Sequence, residues 1–181
     1  MNAIQQGYCL ECRIFETFTT ELEQPVSEAI ESRLKEKGII LPEAAAPAAN
    51  YVPFTISGNM LYLSGQLPVE NGKVAVTGLV GRDVDVAAAQ RAAELCAINI
   101  LAQAKAALAG DLGRIRRILK LNGFVASMPD FTEQHLVING ASNLIAEVLG
   151  EPGRHARAAV GMAALPLNAS VEIDAIIEIE A

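Results

Sequence analysis

The stretch RHARAAVGMAALPLNASVEIDAIIEIEA, residues 154 to 181, decides how the chain folds. In its second half Val171, Ile173, Ala175, Ile177 and Ile179 share one parity, and Glu172, Asp174, Glu178 and Glu180 take the other. Successive side chains of an extended chain point to opposite sides, so this alternation is a strand with one dry face. Upstream, Ala158 to Met162 is a second apolar run, and Pro166, which cannot donate to a ladder, marks a turn between the two. The spacing predicts a hairpin with Arg157 at its open end, roughly opposite the beginning of the final strand. Glu172 is then the nearest acidic side chain. A guanidinium offers a planar fork to a carboxylate, whether a neighbouring glutamate's or that of a small anionic ligand. The plain alternative is a surface arginine at a strand end beside a solvated acidic face.

Working outward, Glu151-Pro152-Gly153 leads into this stretch from a helix that begins at Thr132, or at Asn139 after a loop, and runs to Val148. Asn139-Gly140-Ala141-Ser142 is a weak helix former, which predicts a break or a close backbone contact there. Ile115 to Ser127 reads as one long strand or a strand pair, with Asn122-Gly123 as a kink or bulge. Before it, Ala89, Ala92, Ala93, Cys96, Ala97, Ile100, Leu101, Ala104 and Leu108 recur at three and four residues. That stripe makes 86 to 109 the longest helix, capped by Asp83 or Asp85, with Cys96 as a small core residue.

The N-terminal half supplies more strands. Tyr51 to Gln66 is a strand pair turning at Gly58-Asn59, and Asn71-Gly72 between Val69 and Val74 is a hairpin signal. Ser64-Gly65-Gln66 interrupts the apolar pattern, either as a bulge or as a patch where backbone and hydroxyl approach a ligand. Pro25, then Ser27 as N-cap, opens a short helix through Lys37, with Ala29, Ile30 and Leu34 on one face and Gly38 at its end. Leu41 to Asn50 reads as an extended arm. Helix, strands, long helix, strand, helix and strands predict an α+β fold, a single mixed sheet with helices packed on one face.

A chain of 181 residues with 51% apolar content sustains one core. Residues 1 to 24 lack a sustained period and read as an extension; 25 to 181 form the domain. A net charge of −7 argues against nucleic-acid binding, and only Arg114, Arg116 and Arg117 are locally clustered. No apolar run is long enough to cross a bilayer and no secretory leader is visible, so a soluble, cytoplasmic protein without a membrane partner is expected. Cys9 and Cys12 have C-x-x-C spacing, but zinc needs a second pair, and Cys96, His135 and His155 are all distant in sequence. Nor does the pair open a helix after a strand, as redox chemistry would want. No metal site is expected from these residues.

Several separated motifs agree in order with one family. SGNMLYLSGQLPVENGKV (57 to 74), the helix after GRDVDVAAAQ (81 to 90), ILKLNGFVASMPDF (118 to 131) and GRHARAAVGMAALPLNASVEIDAIIEIEA (153 to 181) resemble the Rid/YjgF family of reactive intermediate deaminases. The NGASNL phrase before GRHAR resembles a branch with an extra N-terminal helix. The resemblance covers about Ser27 to Ala181. It implies a chorismate-mutase-like fold with two main helices on one face of the sheet, and a homotrimer with three clefts between subunits. It also implies cofactor-free hydrolysis of 2-imino and 2-enamino acids to 2-keto acids and ammonia. Position by position, Arg157 matches the family's carboxylate-binding arginine, and Ala159 the position whose backbone N–H assists it. Glu172 matches the residue that orients water, Tyr51 the tyrosine before the first Gly-Asn turn, Ser64 the serine of the SGQ strand, and Asn139 an asparagine on the second helix. Two departures stand out: a longer segment between Phe131 and Asn139, and Ala158-Ala159 in place of a Ser-Cys pair.

The chemistry suits these residues. An imine carbon is already electrophilic, so a site needs to fix the substrate and deliver water. A bidentate arginine provides orientation, and a partly buried carboxylate can serve as base. His155 is an alternative base, although a histidine flanked by Arg154 and Arg157 is expected to be exposed. The competing expectation is a module that binds a small carboxylate, such as a keto acid, in the same clefts without turning it over. A chorismate-mutase activity rests on fold analogy alone, a dicarboxylate would call for a second arginine such as Arg154, and RNA cleavage fits poorly with the acidic charge.

Overall fold

The computed structural model describes residues 26–44 and 50–180. The expectations for residues 1 to 24, with Cys9 and Cys12, and for residues 45–49 of the Leu41 to Asn50 arm lie outside the described residues. Among the described residues there are three α-helices, α1 (Val26–Glu36), α2 (Val86–Ala107) and α3 (Gln134–Leu149). The strands are β1 (Phe54–Ser57), β2 (Met60–Gln66), β3 (Val69–Glu70), β4 (Lys73–Val74), β5 (Ile115–Ala126), β6 (Ala156–Met162) and β7 (Val171–Ile179). This is the expected α+β architecture, a mixed sheet with two main helices on one face and a third helix at the N-terminal side.

The main sheet has the order β1-β2-β7-β5-β6. The final strand is therefore central, antiparallel to β2 on one side and to β5 on the other. Its odd-numbered row, Val171 to Ile179, is buried throughout under the helices, as its alternation predicts. The predicted hairpin between β6 and β7 does not form, because β5 lies between them and β6 pairs with β5 in parallel. Helix α3 supplies the crossover that a parallel pair needs. The loop through Pro166–Asn168 does turn the chain, with Leu167 and Asn168 in the left-handed region. It carries the chain past β5 instead of folding one strand back on the next.

Local signals explain most boundaries. Asp85, not Asp83, caps α2, its carboxylate accepting from Ala88 N–H at 2.7 Å. The predicted alanine-rich stripe is fully buried, and Cys96 within it lies in the core, its thiol pushed well up by burial. Asn71 and Gly72 both take positive φ, 51° and 74°, as a two-residue turn between β3 and β4 requires. The β2–β7 register slips between Leu63 and Gln66, so Ser64-Gly65 is a bulge. In β5 the irregularities fall at Ile115/Arg117 and Ile118/Lys120, not at Asn122-Gly123. Gly123 serves packing instead, since a Cβ there would strike the side chain of Ile138. Ser27 lies inside α1 instead of capping it, and α1 buries Ile30 and Leu34.

Helix α3 starts at Gln134, between the two predicted starts, and runs unbroken through Asn139-Gly140. Gly140 marks a close approach: a Cβ there would overlap the Gln90 carbonyl of α2. The Gln90 side chain crosses to the Leu136 carbonyl at 2.8 Å, tying the same two helices. Among the described residues nothing covers the opposite face of the sheet, which carries Tyr62, Phe124, Val160, Met162 and Ile176, three of them exposed. Among the described residues no helix is long and apolar enough to cross a membrane.

Gly140→Ala is expected to destabilise the fold by about 2–3 kcal/mol, because backbone has to move to admit a methyl group. Gly123→Ala, which meets only the flexible Ile138 side chain, should cost less. Chemical denaturation of both variants checks the order.

Candidate functional site

Arg157 sits on β6, the outer strand of the sheet, in register with Leu121 of β5, which in turn pairs with Ala175 of β7. Leu121 and Ala175 are buried beneath the helices, so Arg157 emerges on the helix-bearing face. There its Nη1 donates to Ser142 Oγ at 3.0 Å and its Nη2 to the His135 carbonyl at 3.1 Å, both on α3. Asn139 lies four residues after His135 and three before Ser142, on the same helical stripe. Ala159 follows Arg157 by two residues and faces the same way, packed against the core. As an edge strand, β6 leaves one row of its backbone groups unpaired by any strand among the described residues. Among the described residues no carboxylate forms a salt bridge with Arg157, and two of its five N–H groups are engaged, leaving three free.

His155 is half-buried behind this arginine, not exposed as its charged flanks suggested. Its Nδ1 lies 2.6 Å from the Gly153 carbonyl and its Nε2 3.0 Å from Ser142 Oγ. Burial pushes its pKa below the usual imidazole value; the Gly153 contact opposes this and the charge of Arg157 adds to it. Its free lone pair is directed at a serine hydroxyl, which does not suit the role of hydrolytic base.

Glu172 occupies the other face. On β7 it lies opposite Phe124 and next to the buried row, and its half-buried side chain rests against the bulge at Gly65. A Cβ at Gly65 would fall inside the Glu172 carboxylate, so a glycine there is what lets the acid lie flat on the strand. Neighbouring Ser64 donates its hydroxyl to the Val52 carbonyl at 2.8 Å, which brings the exposed Tyr51 to this end of the sheet. Burial first, and then the charge of Asp174, raise the Glu172 pKa above its ordinary value. Asp174 itself accepts from Asn122 Nδ2 at 2.7 Å.

The six predicted positions therefore fall into two groups: Arg157, Ala159 and Asn139 in one, Glu172, Ser64 and Tyr51 in the other. Within one chain the groups do not meet, and the expected facing of Arg157 and Glu172 across a hairpin is overturned. They lie on opposite faces, two strands apart, with registers three residues apart, which amounts to roughly 10 Å across and roughly 10 Å along. Sequence reading named Gly65 within the SGQ interruption but not its contact with Glu172, and it did not find Ser142 or the true setting of His155. The SGQ interruption pointed to Gly65, and the NGASNL and GRHAR phrases contained the other two.

Residues 31–179 match the family model described as "YjgF/chorismate_mutase-like, putative endoribonuclease". The chain is 51% identical over 154 residues to Protein TCP17 of Trypanosoma cruzi, covering 84% of this chain and 96% of that protein. The crystal structure of Atu1372 from Agrobacterium tumefaciens is similar at TM-score 0.82 and 78% identity, covering 87% of this chain and 96% of the other. Escherichia coli TdcF, crystallised with bound serine, is similar at TM-score 0.55 and 25% identity, covering 77% and 94% of the two chains.

The raised Glu172 pKa sets the sign of a stability effect. The neutral carboxyl is the form the fold favours, so its contribution is complete below the unfolded value near 4.5 and is lost as pH rises through the higher folded value. Glu172→Gln, permanently neutral, should thus gain stability over the wild type above that window, the gap closing below it. Urea denaturation on both sides of the window measures the difference.

Proposed function

The chain belongs to the Rid/YjgF family, and from that premise we propose that it hydrolyses small 2-imino and 2-enamino acids to 2-keto acids and ammonia. The observation that carries this reading is the Arg157 guanidinium. It is half-buried, held in place by two acceptors on α3, and lacks a carboxylate partner among the described residues. A fixed cation with three free N–H groups suits the carboxylate of a small acid, where a bidentate contact gives orientation as well as affinity. The serine bound to TdcF is a ligand of that kind.

In the proposed reaction Arg157 of one copy holds the substrate carboxylate, with the Ala159 backbone N–H and Asn139 beside it. Glu172 of a neighbouring copy, flanked by Ser64 and Tyr51, accepts a proton from water as its oxygen bonds to the imine carbon. The same carboxyl then returns that proton to nitrogen, giving a neutral carbinolamine; it next takes the hydroxyl proton and delivers it to the same nitrogen, so that the oxygen electron pair closes the ketone as the C–N bond breaks and ammonia departs. The raised pKa of Glu172 brings it nearer to the working pH of a base that also acts as an acid. Two half-sites on different faces of one chain call for a second copy, and the uncovered apolar side of the sheet offers surface for it. A closed ring of three copies pairs every Arg157 with a neighbour's Glu172. The net charge of −7 lends no support to an RNA substrate.

Arg157→Ala is expected to lower kcat/KM for 2-aminoacrylate by about thirty- to a thousandfold, the loss of roughly 2–4 kcal/mol of charge-assisted contact. Glu172→Gln should lower kcat by about a hundredfold or more. Ammonia release, corrected for the spontaneous reaction, measures both. A wild type that binds 2-keto acids in calorimetry but releases no ammonia above background would be a binder and not a deaminase.

Sites shared between copies also predict complementation. Oligomers reassembled from equal amounts of the Arg157→Ala and Glu172→Gln chains should recover about a quarter of the wild-type rate, by random assortment of neighbours. A site built within one chain would recover none.

A further inference from the structure

The proposed reaction gives no role to Ser142 or His155, yet both are tied to Arg157. We propose that Ser142 and His155 are positioning residues that hold the Arg157 guanidinium in its carboxylate-binding pose through a directed hydrogen-bond relay anchored on the Gly153 carbonyl. This rests on the reading of Arg157 as the carboxylate anchor.

The direction of the relay follows from which atoms can donate. A carbonyl oxygen only accepts, so His155 Nδ1 carries the proton and donates to Gly153 across 2.6 Å. The neutral ring then presents a lone pair at Nε2, and the Ser142 hydroxyl, 3.0 Å away, donates to it. With its proton spoken for, Ser142 Oγ turns a lone pair toward Arg157 Nη1, which donates at 3.0 Å. Each rotor in the series is fixed by the next.

The far end of the relay is rigid. Gly153 is buried, and a Cβ there would overlap the Ile145 carbonyl of α3, so the turn at Glu151–Gly153 lies directly on the helix. Gly153 N–H bonds to the Gly150 carbonyl at 2.9 Å, and Arg154 N–H to the Glu151 carbonyl at 3.1 Å. The relay thus joins three elements, α3, this turn and β6, at the guanidinium. It also accounts for the NGASNL and GRHAR phrases: the first supplies Ser142, the second Gly153, His155 and Arg157. Arg154, by contrast, is exposed and turned to Glu151 at 3.0 Å, away from this function.

A guanidinium fixed before the ligand arrives does not have to be ordered by it, and releasing it should weaken binding about tenfold. Ser142→Ala is expected to raise KM for 2-aminoacrylate by about tenfold with kcat within about twofold, since the anchor acts on binding. Ser142→Thr, which keeps the hydroxyl, should stay within about twofold of the wild type in both. Adding His155→Leu to Ser142→Ala should cause no further loss, because the two act in series. A readout that needs no substrate accompanies these: nitrogen-15 NMR of the Arg157 side chain, where rotation about its Cζ–Nε bond should be slow in the wild type and Ser142→Thr and fast in Ser142→Ala. Thermal melts confirm that each variant is folded. Slow rotation retained in Ser142→Ala would overturn the proposal, whatever the substrate proves to be. Absence of ammonia release by the wild type would overturn the deaminase reading and leave this NMR test standing.

Discussion

Burial of one row of side chains on the last strand is the constraint on which this molecule depends. Val171, Ile173, Ala175, Ile177 and Ile179 are covered by helices, and the strand that carries them pairs on both sides. Helix α2 meets the core with a stripe of alanines and Cys96 joined by Ile100 and Leu101, all fully buried. A row that continuous has its best position at the centre of a sheet, where neither neighbouring strand leaves it at an edge. Helix α3 then follows from topology: β5 and β6 run parallel, and only a crossover of its length can join them.

The central strand also separates the groups that would carry chemistry. Because β5 lies between β7 and β6, Glu172 and Arg157 have no common neighbour at their own registers. Parity then sends one side chain up and the other down. Each half is nevertheless well built. Glu172 rests on a bulge where only glycine leaves room, and the Arg157 guanidinium is drawn against a helix by two acceptors.

Polar groups at the β6 edge show how little freedom remains around the arginine. Two of its N–H groups are taken by α3, and the serine among its acceptors is bound in turn by a neutral histidine. Burial keeps that histidine from charging at the ordinary imidazole pH, which preserves its acceptor lone pair. On the opposite face Glu172 is kept closer to neutrality by burial and by Asp174. In both cases burial within the sheet and its helices shifts the titration, His155 down and Glu172 up, and no residue type would reveal it alone.

The sequence by itself determined the periodicities: the dry face of β7, the buried stripe of α2 and the Asn71-Gly72 hairpin, while at Ser64-Gly65 it left a bulge and a ligand patch open until the β2–β7 register decided for the bulge. These are local, because rotamer, φ angle and side-chain parity are set within a few residues. Recurrent motifs also located Arg157 and Glu172, but not their relation. Which strand lies beside which was decided only in three dimensions. Alternation says which face of a strand is dry and is silent about its neighbours, so an intervening strand 30 residues earlier in the chain could displace the nearer partner. The Ser142–His155 contact was hidden for the same reason: it depends on the docking of α3 against a turn, a distance in space that no spacing in sequence encodes.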